Sequence, residues 1–146
     1  MRKIQGGCLC GAIRYQSTSE PTRMIASDCR HCQKQAGAAI AISVGVPANT
    51  LKVKGKRPSV YEDTRASGVS LRSFCPDCGT PLFSESEAEP EMVFIIAATL
   101  DDPSWVQPQV IYSAGRFRQV NQSATREERS PERLDRPVRE LRIKVS

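Results

Sequence analysis

Residues 74–80 read Phe74-Cys75-Pro76-Asp77-Cys78-Gly79-Thr80, a tight turn that carries two thiols three positions apart. Cys-x-x-Cys turns are common in zinc sites, because both sulfurs lie on the same side of the loop. Two other thiol pairs, Cys8-Leu9-Cys10 and Cys29-Arg30-His31-Cys32, account for the remaining cysteines of the six in the chain. Four thiolates complete a tetrahedron around zinc, so three pairs predict one full site and leave two thiols over.

The composition indicates one domain with reduced thiols. The chain has 146 residues, a length typical of a single domain. Its six cysteines are too few for a disulfide scaffold, the N-terminal residues lack an apolar signal segment, and no apolar run is long enough to cross a membrane. We therefore expect a cytoplasmic protein without a membrane association.

The positive charge lies mainly near the C-terminus. Of the net charge of +5, residues 113–146 contribute +4, with nine basic and five acidic side chains. Because acidic residues interleave with the arginines, a solvated tail is expected and nucleic-acid binding is not. We predict a zinc-binding domain at 1–120 and a charged tail at 121–146, either flexible or exchanged between subunits. Apolar residues at 141, 143 and 145 could form an edge strand in this or another subunit, and a homodimer is possible.

The first 112 residues predict an all-β fold. Short runs of β-type residues alternate with Gly, Pro, Asn and Asp. The predicted strands cover 12–16, 38–46, 51–54, 59–62, 69–74, 82–84, 92–100 and 110–112. Residues 69–74 alternate apolar with polar side chains, which predicts a half-buried strand that leads into Cys75. Gly11 and Gly79 each follow a cysteine pair, where positive φ is expected.

Four separated motifs resemble those of a known family. They are Gly6-Gly7-Cys8-Leu9-Cys10-Gly11-Ala12-Ile13-Arg14-Tyr15, Cys29-x-x-Cys32 followed by Ala36-Gly37, Phe74-Cys75-Pro76-Asp77-Cys78-Gly79-Thr80, and Thr99-Leu100-Asp101-Asp102-Pro103. In order and spacing, residues 4–112 resemble the glutathione-dependent formaldehyde-activating enzyme family, which also contains centromere protein V. The resemblance implies an Mss4-like fold, a tent of coiled antiparallel sheets with two zinc sites.

The resemblance also implies which cysteines bind the structural zinc. By analogy with the family, Cys8, Cys10, Cys75 and Cys78 form a closed Cys₄ site that joins the N-terminal strand to a hairpin 65 residues away. Spacing alone would instead favour pairing the two Cys-x-x-Cys turns. The closed site is expected to be structural, because it leaves no coordination position open.

The leftover thiols correspond to the family's catalytic zinc site, a Cys-x-Cys-x-x-Cys cluster. Cys29 and Cys32 match that cluster, but Ser27 stands at its first position, and a serine hydroxyl is a far poorer zinc ligand than a thiolate. Three alternatives remain open. His31 or Asp28 could complete a second, catalytic zinc site; the site could be weak or empty; or the thiols could form a redox pair. His31 is more simply interpreted as a polar turn residue.

The resemblance implies a zinc-dependent carbon–sulfur lyase that acts on a small thiol of the glutathione type or on its aldehyde adduct. The alternative is a zinc-stabilised binding module without turnover, whose second site has been lost through Ser27. Arg72 is either an anion contact for a carboxylate-bearing thiol or an exposed residue of a strand face.

Overall fold

The computed structural model describes residues 3–112, which form two β-sheets and one short α-helix. Two short 3₁₀ turns, Ala48–Thr50 and Ala97–Thr99, interrupt the strands. The elements in chain order are β1 Ile4–Gly7, β2 Ile13–Ser17, β3 Arg23–Ser27, α1 Arg30–Ala36, β4 Ala41–Pro47, β5 Leu51–Gly55, β6 Ser59–Arg65, β7 Gly68–Phe74, β8 Pro81–Ser86, β9 Met92–Ile96 and β10 Val110–Tyr112. The predicted all-β fold is confirmed.

The strands form one small and one large open sheet. The small sheet has the order β1-β2-β5, and the large sheet has the order β10-β3-β4-β9-β8-β7-β6. Neighbouring strands are antiparallel except at one edge, where β10 runs parallel to β3. Parallel strands cannot be joined by a hairpin, and most of the fold lies between β3 and β10 in the chain. The Mss4-like arrangement of coiled sheets is therefore antiparallel apart from this edge.

The hydrophobic core lies between the two sheets. Tyr15 of β2 packs edge-to-face on Phe83 of β8, with ring centroids 5.2 Å apart. Aliphatic side chains from both sheets surround this pair and are almost completely buried: Ile4, Ile13, Val44, Val46, Leu82 and Ile95. The two sheets are thus held together by a single apolar interior.

Gly6 brings the backbone of the small sheet into close contact with the segment that follows β9 of the large sheet. It forms an isolated antiparallel bridge with Leu100, which follows the 3₁₀ turn after β9. The Tyr15 hydroxyl lies beside it, 2.8 Å from the Thr99 hydroxyl. A Cβ at position 6 would collide with the Thr99 carbonyl oxygen and with the Tyr15 hydroxyl. Only glycine therefore permits this contact.

The eight predicted strands correspond to β2 and to β4 through β10; the bounds of β10 are as predicted, and the others have one or both ends shifted. The prediction missed β1, β3 and α1, and it extended β9 through residues that form a 3₁₀ turn. β1 was missed because half of its residues are glycines. The helix was missed because its seven residues, Arg30–Ala36, contain no apolar stripe from which a helical period could be read.

β7 is a strand as predicted, but its faces differ from the pattern. Leu71 is 38% exposed, whereas Arg72 and Ser73 are buried. The alternation of apolar and polar residues in β7 therefore does not match which side chains are buried and which are exposed. Arg72 is buried because its guanidinium Nε donates to Asp63 of β6 at 2.8 Å. A buried charge is tolerated only with such a partner.

The predicted C-terminal tail lies outside residues 3–112, which the structure describes. The domain boundary at residue 120, the charged segment 121–146 and its proposed edge strand all lie outside the described residues. Among residues 3–112, no helix has the length and hydrophobicity that a membrane span requires.

Replacement of Gly6 by alanine should destabilise the fold by about 3 kcal/mol, because the new Cβ overpacks the contact between the sheets. Gly37→Ala is the matched control: its φ is 64° and open space surrounds the position, so only the strain of a left-handed residue, about 1 kcal/mol, is expected. Urea denaturation of both variants measures the difference. Equal losses would contradict the role assigned to Gly6.

Candidate functional site

The turns between β1 and β2 and between β7 and β8 bring four thiols together. The sulfurs of Cys8, Cys10, Cys75 and Cys78 all lie within 4.8 Å of one another. Cys8 Sγ is 3.6 Å from Cys10 Sγ, which is 3.8 Å from Cys75 Sγ. Two sulfurs on a tetrahedral zinc with bonds of about 2.3 Å are about 3.8 Å apart, so this group fits a metal ion. The grouping is the one that the resemblance implies, not the one that spacing favours.

Backbone and hydroxyl groups support these four sulfurs. The positive φ expected at Gly11 and Gly79 is confirmed, with values of 79° and 74°. The Ile13 N–H donates to Cys8 Sγ at 3.2 Å. Thr80 Oγ1 lies 3.1 Å from Cys78 Sγ, and hydrogen bonding to Thr80 lowers the pKa of Cys78 to about 6. Such outer contacts orient thiolate ligands and offset their charge.

The other two thiols form a separate pair at the start of α1. Cys29 Sγ and Cys32 Sγ are 2.7 Å apart, and Cys29 caps the helix by accepting a hydrogen bond from the Cys32 N–H at 3.3 Å. Arg65 Nη1 lies 3.8 Å from Cys29 Sγ. Burial raises the pKa of Cys29, but hydrogen bonds from Cys32 and Ser27 and the charge of Arg65 outweigh it, so the pKa is lowered.

Ser27 does not act as a third ligand in this arrangement. Its side chain is buried, and Oγ accepts a hydrogen bond from the Cys29 N–H at 3.2 Å. Within residues 3–112, no His, Asp or Glu ligand atom converges with the Cys29 and Cys32 sulfurs. Those sulfurs are also closer than the separation of about 3.8 Å on a shared zinc. In this arrangement Ser27, Cys29 and Cys32 do not form a zinc site with three protein ligands. The second zinc stays a prediction.

A buried carboxylate organises the residues around α1. Asp63 Oδ1 lies 2.7 Å from His31 Nδ1, and Asp63 Oδ2 accepts from Arg72 Nε at 2.8 Å and from Arg65 Nη2 at 3.0 Å. Burial raises the pKa of Asp63, but the hydrogen bonds from Arg72 and His31 and the charge of Arg65 lower it further than burial raises it. Asp63 is therefore held ionised, and it ties α1 to β6 and β7.

Two cavities adjoin this network. The larger, of about 540 Å³, lies beside α1, and its wall contains Arg30, His31, Lys34, Asp63 and Arg72 together with the rings of Tyr61 and Phe74. The smaller, of about 190 Å³, is lined by Cys32, Ser27 and Arg65 among others, and Arg72 lines both. Cys32 and His31, although adjacent in sequence, therefore line different cavities.

Three residues of the site were not identified from the sequence. They are Tyr61, Asp63 and Arg65, which occupy alternate positions of β6 and therefore lie on one face of the strand. An acidic and a basic residue two positions apart were the only sign in the sequence that this strand face could carry a charged site. His31 was interpreted as a turn residue, but it lies in α1 and contacts Asp63. The reading of Arg72 as an exposed residue of a strand face is wrong, because it is buried in the cavity wall.

Comparison with known proteins places this arrangement in a family. Residues 3–114 match the family described as "Glutathione-dependent formaldehyde-activating enzyme". The chain belongs to this family. A protein of Halomonas elongata that is named provisionally as a glutathione-dependent formaldehyde-activating enzyme is 30% identical over an alignment of 103 residues that covers 67% of this chain and 66% of the relative. The chain thus spans slightly less than two thirds of that relative.

The fold of this family member also occurs in a solved structure. A crystal structure of a Rhodobacter sphaeroides protein from a structural-genomics programme superimposes with a TM-score of 0.57 at 20% identity, over 75% of this chain and 100% of the other. At that identity, the similarity concerns the fold alone.

Cys75→Ser should abolish folding, because the four-thiol group would lose its most buried sulfur. Metal binding supplies about 10 kcal/mol in small modules, which is comparable to the whole stability of a domain. Cys29→Ser is the matched control and should stay folded, since its sulfur lies outside the four-thiol group. Soluble yield and zinc per chain by elemental analysis test this. Soluble Cys75→Ser protein with a full zinc content would contradict it.

Asp63→Asn should destabilise the protein by about 3 kcal/mol at neutral pH, because it leaves the buried Arg72 without its counter-ion. The folded pKa of Asp63 lies below 3.8, so its contribution is complete above pH 3.8 and is lost as the pH falls through the folded pKa. The difference in free energy of unfolding between wild type and Asp63→Asn, measured by urea denaturation, should therefore decrease below pH 3.8. Asp77→Asn, which breaks an exposed pair with Lys56, should change nothing measurable.

Proposed function

We propose that the protein is a carbon–sulfur lyase that forms and cleaves the adduct of a small carboxylate-bearing thiol with an aldehyde. One observation carries the proposal: the cavity of about 540 Å³ brings the His31–Asp63 pair together with three cationic side chains. Family membership supports the reaction class, and the name of the Halomonas relative suggests glutathione and formaldehyde as the reactants. The free thiols fit a reducing compartment such as the cytoplasm.

The charge of the cavity favours an anionic ligand. Arg30, Lys34 and Arg72 are cationic, whereas Asp63 is the one carboxylate among the lining residues and is already engaged by two arginines. Tyr61 and Phe74 supply an apolar surface for the aliphatic part of a ligand. The volume lies within the range of about 300–1,000 Å³ that is usual for small-molecule sites. A tripeptide-sized thiol with carboxylates satisfies all three conditions.

His31 is the group that would transfer the proton. Addition of a thiol to formaldehyde forms the S–C bond, breaks the carbonyl π bond and moves the thiol proton to the carbonyl oxygen. Because Asp63 accepts a hydrogen bond from His31 Nδ1, the ring is held with Nε2 as the free acceptor. Nε2 can then take the thiol proton and return it to the developing alkoxide, and cleavage of the adduct follows the reverse path.

In this proposal, the role of the zinc held by the four-thiol group is structural. Cys8, Cys10, Cys75 and Cys78 would hold one zinc that joins the two sheets, and Lewis-acid chemistry is not expected of a site closed by four thiolates. A second zinc at Cys29 and Cys32, as the family implies, would supply activation of the substrate sulfur. Because these two residues lack a third ligand among the described residues, the mechanism above routes no step through it.

A non-catalytic binding module is the second candidate. Ser27 favours it, because the hydroxyl is used internally to accept the Cys29 N–H instead of serving as a ligand. In that case the cavity beside α1 binds an anion, but nothing in it transfers a proton. The two candidates share the zinc-joined fold and differ only in turnover.

Exchange NMR of a glutathione–formaldehyde mixture at equilibrium distinguishes them, since it measures adduct formation and cleavage directly. The wild-type protein should make exchange faster than it is in buffer alone. His31→Gln should reduce this acceleration about 100-fold, which is a usual contribution of general acid–base catalysis. The double change Arg30→Gln with Lys34→Gln should raise KM for glutathione while kcat is retained, because it removes ground-state binding.

The controls separate binding from chemistry. With cysteamine, a thiol without a carboxylate, the double change should have no effect on KM. Lys54→Gln removes an exposed cation of β5 and should behave as wild type with both thiols. Wild-type exchange at the buffer rate, with glutathione still bound, would establish the binding module instead of the lyase.

A further inference from the structure

The thiols of Cys29 and Cys32 are the reactive groups that the proposed lyase mechanism does not use. They are half-buried, their sulfurs are in contact at 2.7 Å, and within residues 3–112 no further metal-ligating atom joins them. Two adjacent thiols without a third ligand are poorly suited to hold zinc but well placed to form a disulfide with each other.

We propose that Cys29 and Cys32 form a dithiol that reduces small-molecule disulfides by thiol–disulfide exchange, an activity separate from carbon–sulfur bond cleavage. Cys29 is the attacking sulfur and Cys32 the resolving one. The substrate class is a disulfide of a low-molecular-weight thiol.

The surroundings of Cys29 assign it the attacking role. The Arg65 guanidinium lies 3.8 Å from its sulfur, and the Cys32 N–H donates to the same sulfur at 3.3 Å. A positive charge and an N–H donor both favour the thiolate form, which is the nucleophile in exchange. Arg65 is itself held in place by Asp63, through Nε at 3.1 Å and Nη2 at 3.0 Å.

Cys32 has the position that resolution requires. Its sulfur needs to approach Cys29 by about 0.7 Å to reach the bond length of a disulfide. It lines the cavity of about 190 Å³ and is therefore not sealed in the core. The cap at Cys29 and the first turn of α1 hold the two side chains on the same side, so little backbone movement is needed.

The exchange balances without any further reactant. The Cys29 thiolate attacks one sulfur of the disulfide RSSR, which forms a mixed disulfide and releases RS⁻. The Cys32 thiolate then attacks Cys29 Sγ, which closes the internal disulfide and releases the second RS⁻. The protein loses two electrons and RSSR gains them. Two molecules of a small thiol reverse the steps and restore the dithiol.

Tryptic mapping tests the proposal, because trypsin cleaves after Arg30, between the two cysteines. The folded protein, with its metal retained, is incubated with glutathione disulfide, alkylated and digested. The internal disulfide should join fragment 24–30 to fragment 31–34, and added glutathione should separate them again. Cys8, Cys10, Cys75 and Cys78 lie in other fragments and should stay free of glutathione.

Single variants identify the order of attack. Cys32→Ser should accumulate a mixed disulfide on Cys29, whereas Cys29→Ser should modify Cys32 several-fold more slowly. Arg65→Gln, combined with Cys32→Ser, should slow the modification of Cys29 several-fold. Arg57→Gln removes an exposed arginine between β5 and β6 and should leave the rate unchanged in the same background.

Three results would overturn the proposal. The first is a pair that stays reduced while glutathione disulfide is in excess. The second is an equal rate of modification of the remaining thiol in Cys29→Ser and in Cys32→Ser. The third is a second zinc per chain whose chelation is required before either thiol reacts, which would make the pair a metal site. None of these outcomes depends on the lyase assay, so the two functions can fail separately.

Discussion

The convergence of four thiols from two distant turns is the constraint on which the rest of this structure depends. Cys8 and Cys10 lie in the turn between β1 and β2 of the small sheet, and Cys75 and Cys78 lie in the turn between β7 and β8 of the large sheet. Four sulfurs within 4.8 Å would repel one another as thiolates unless a cation neutralised them. A cation bound by the four sulfurs would therefore fix the position of the small sheet over the large one, and the apolar core formed by both sheets reinforces the same arrangement.

A second constraint is electrostatic and belongs to the site. Asp63 is buried and accepts hydrogen bonds from one histidine and two arginines that come from α1, β6 and β7. A buried carboxylate of this kind is costly unless each lone pair is used. Of its partners, His31 lines the larger cavity, Arg65 the smaller and Arg72 both, so the same charge that stabilises the packing also orients the groups available for chemistry.

The two thiol groups differ in geometry, and this difference is the basis of the different chemistry proposed for each. In the four-thiol group the sulfur separations of 3.6 and 3.8 Å are near those on a tetrahedral zinc, and backbone and hydroxyl groups contact the sulfurs. At the start of α1 the sulfurs touch, a guanidinium stands beside one of them, and serine occupies the position where the family has a third cysteine. Because no third metal-ligating atom among residues 3–112 joins Cys29 and Cys32, the dithiol chemistry proposed for this pair requires no metal.

The β-type runs were sufficient to predict the fold class, because strand-forming composition and periodicity are local properties of the chain. The four motifs identified the family for the same reason. The tertiary structure alone located the site: Asp63, Arg65 and Arg72 lie on neighbouring strands, and α1 has no periodic pattern that would indicate its contact with them. Pairing between distant elements depends on how the chain packs, so burial of Arg72 against Asp63 could not be read from either residue's position in the sequence.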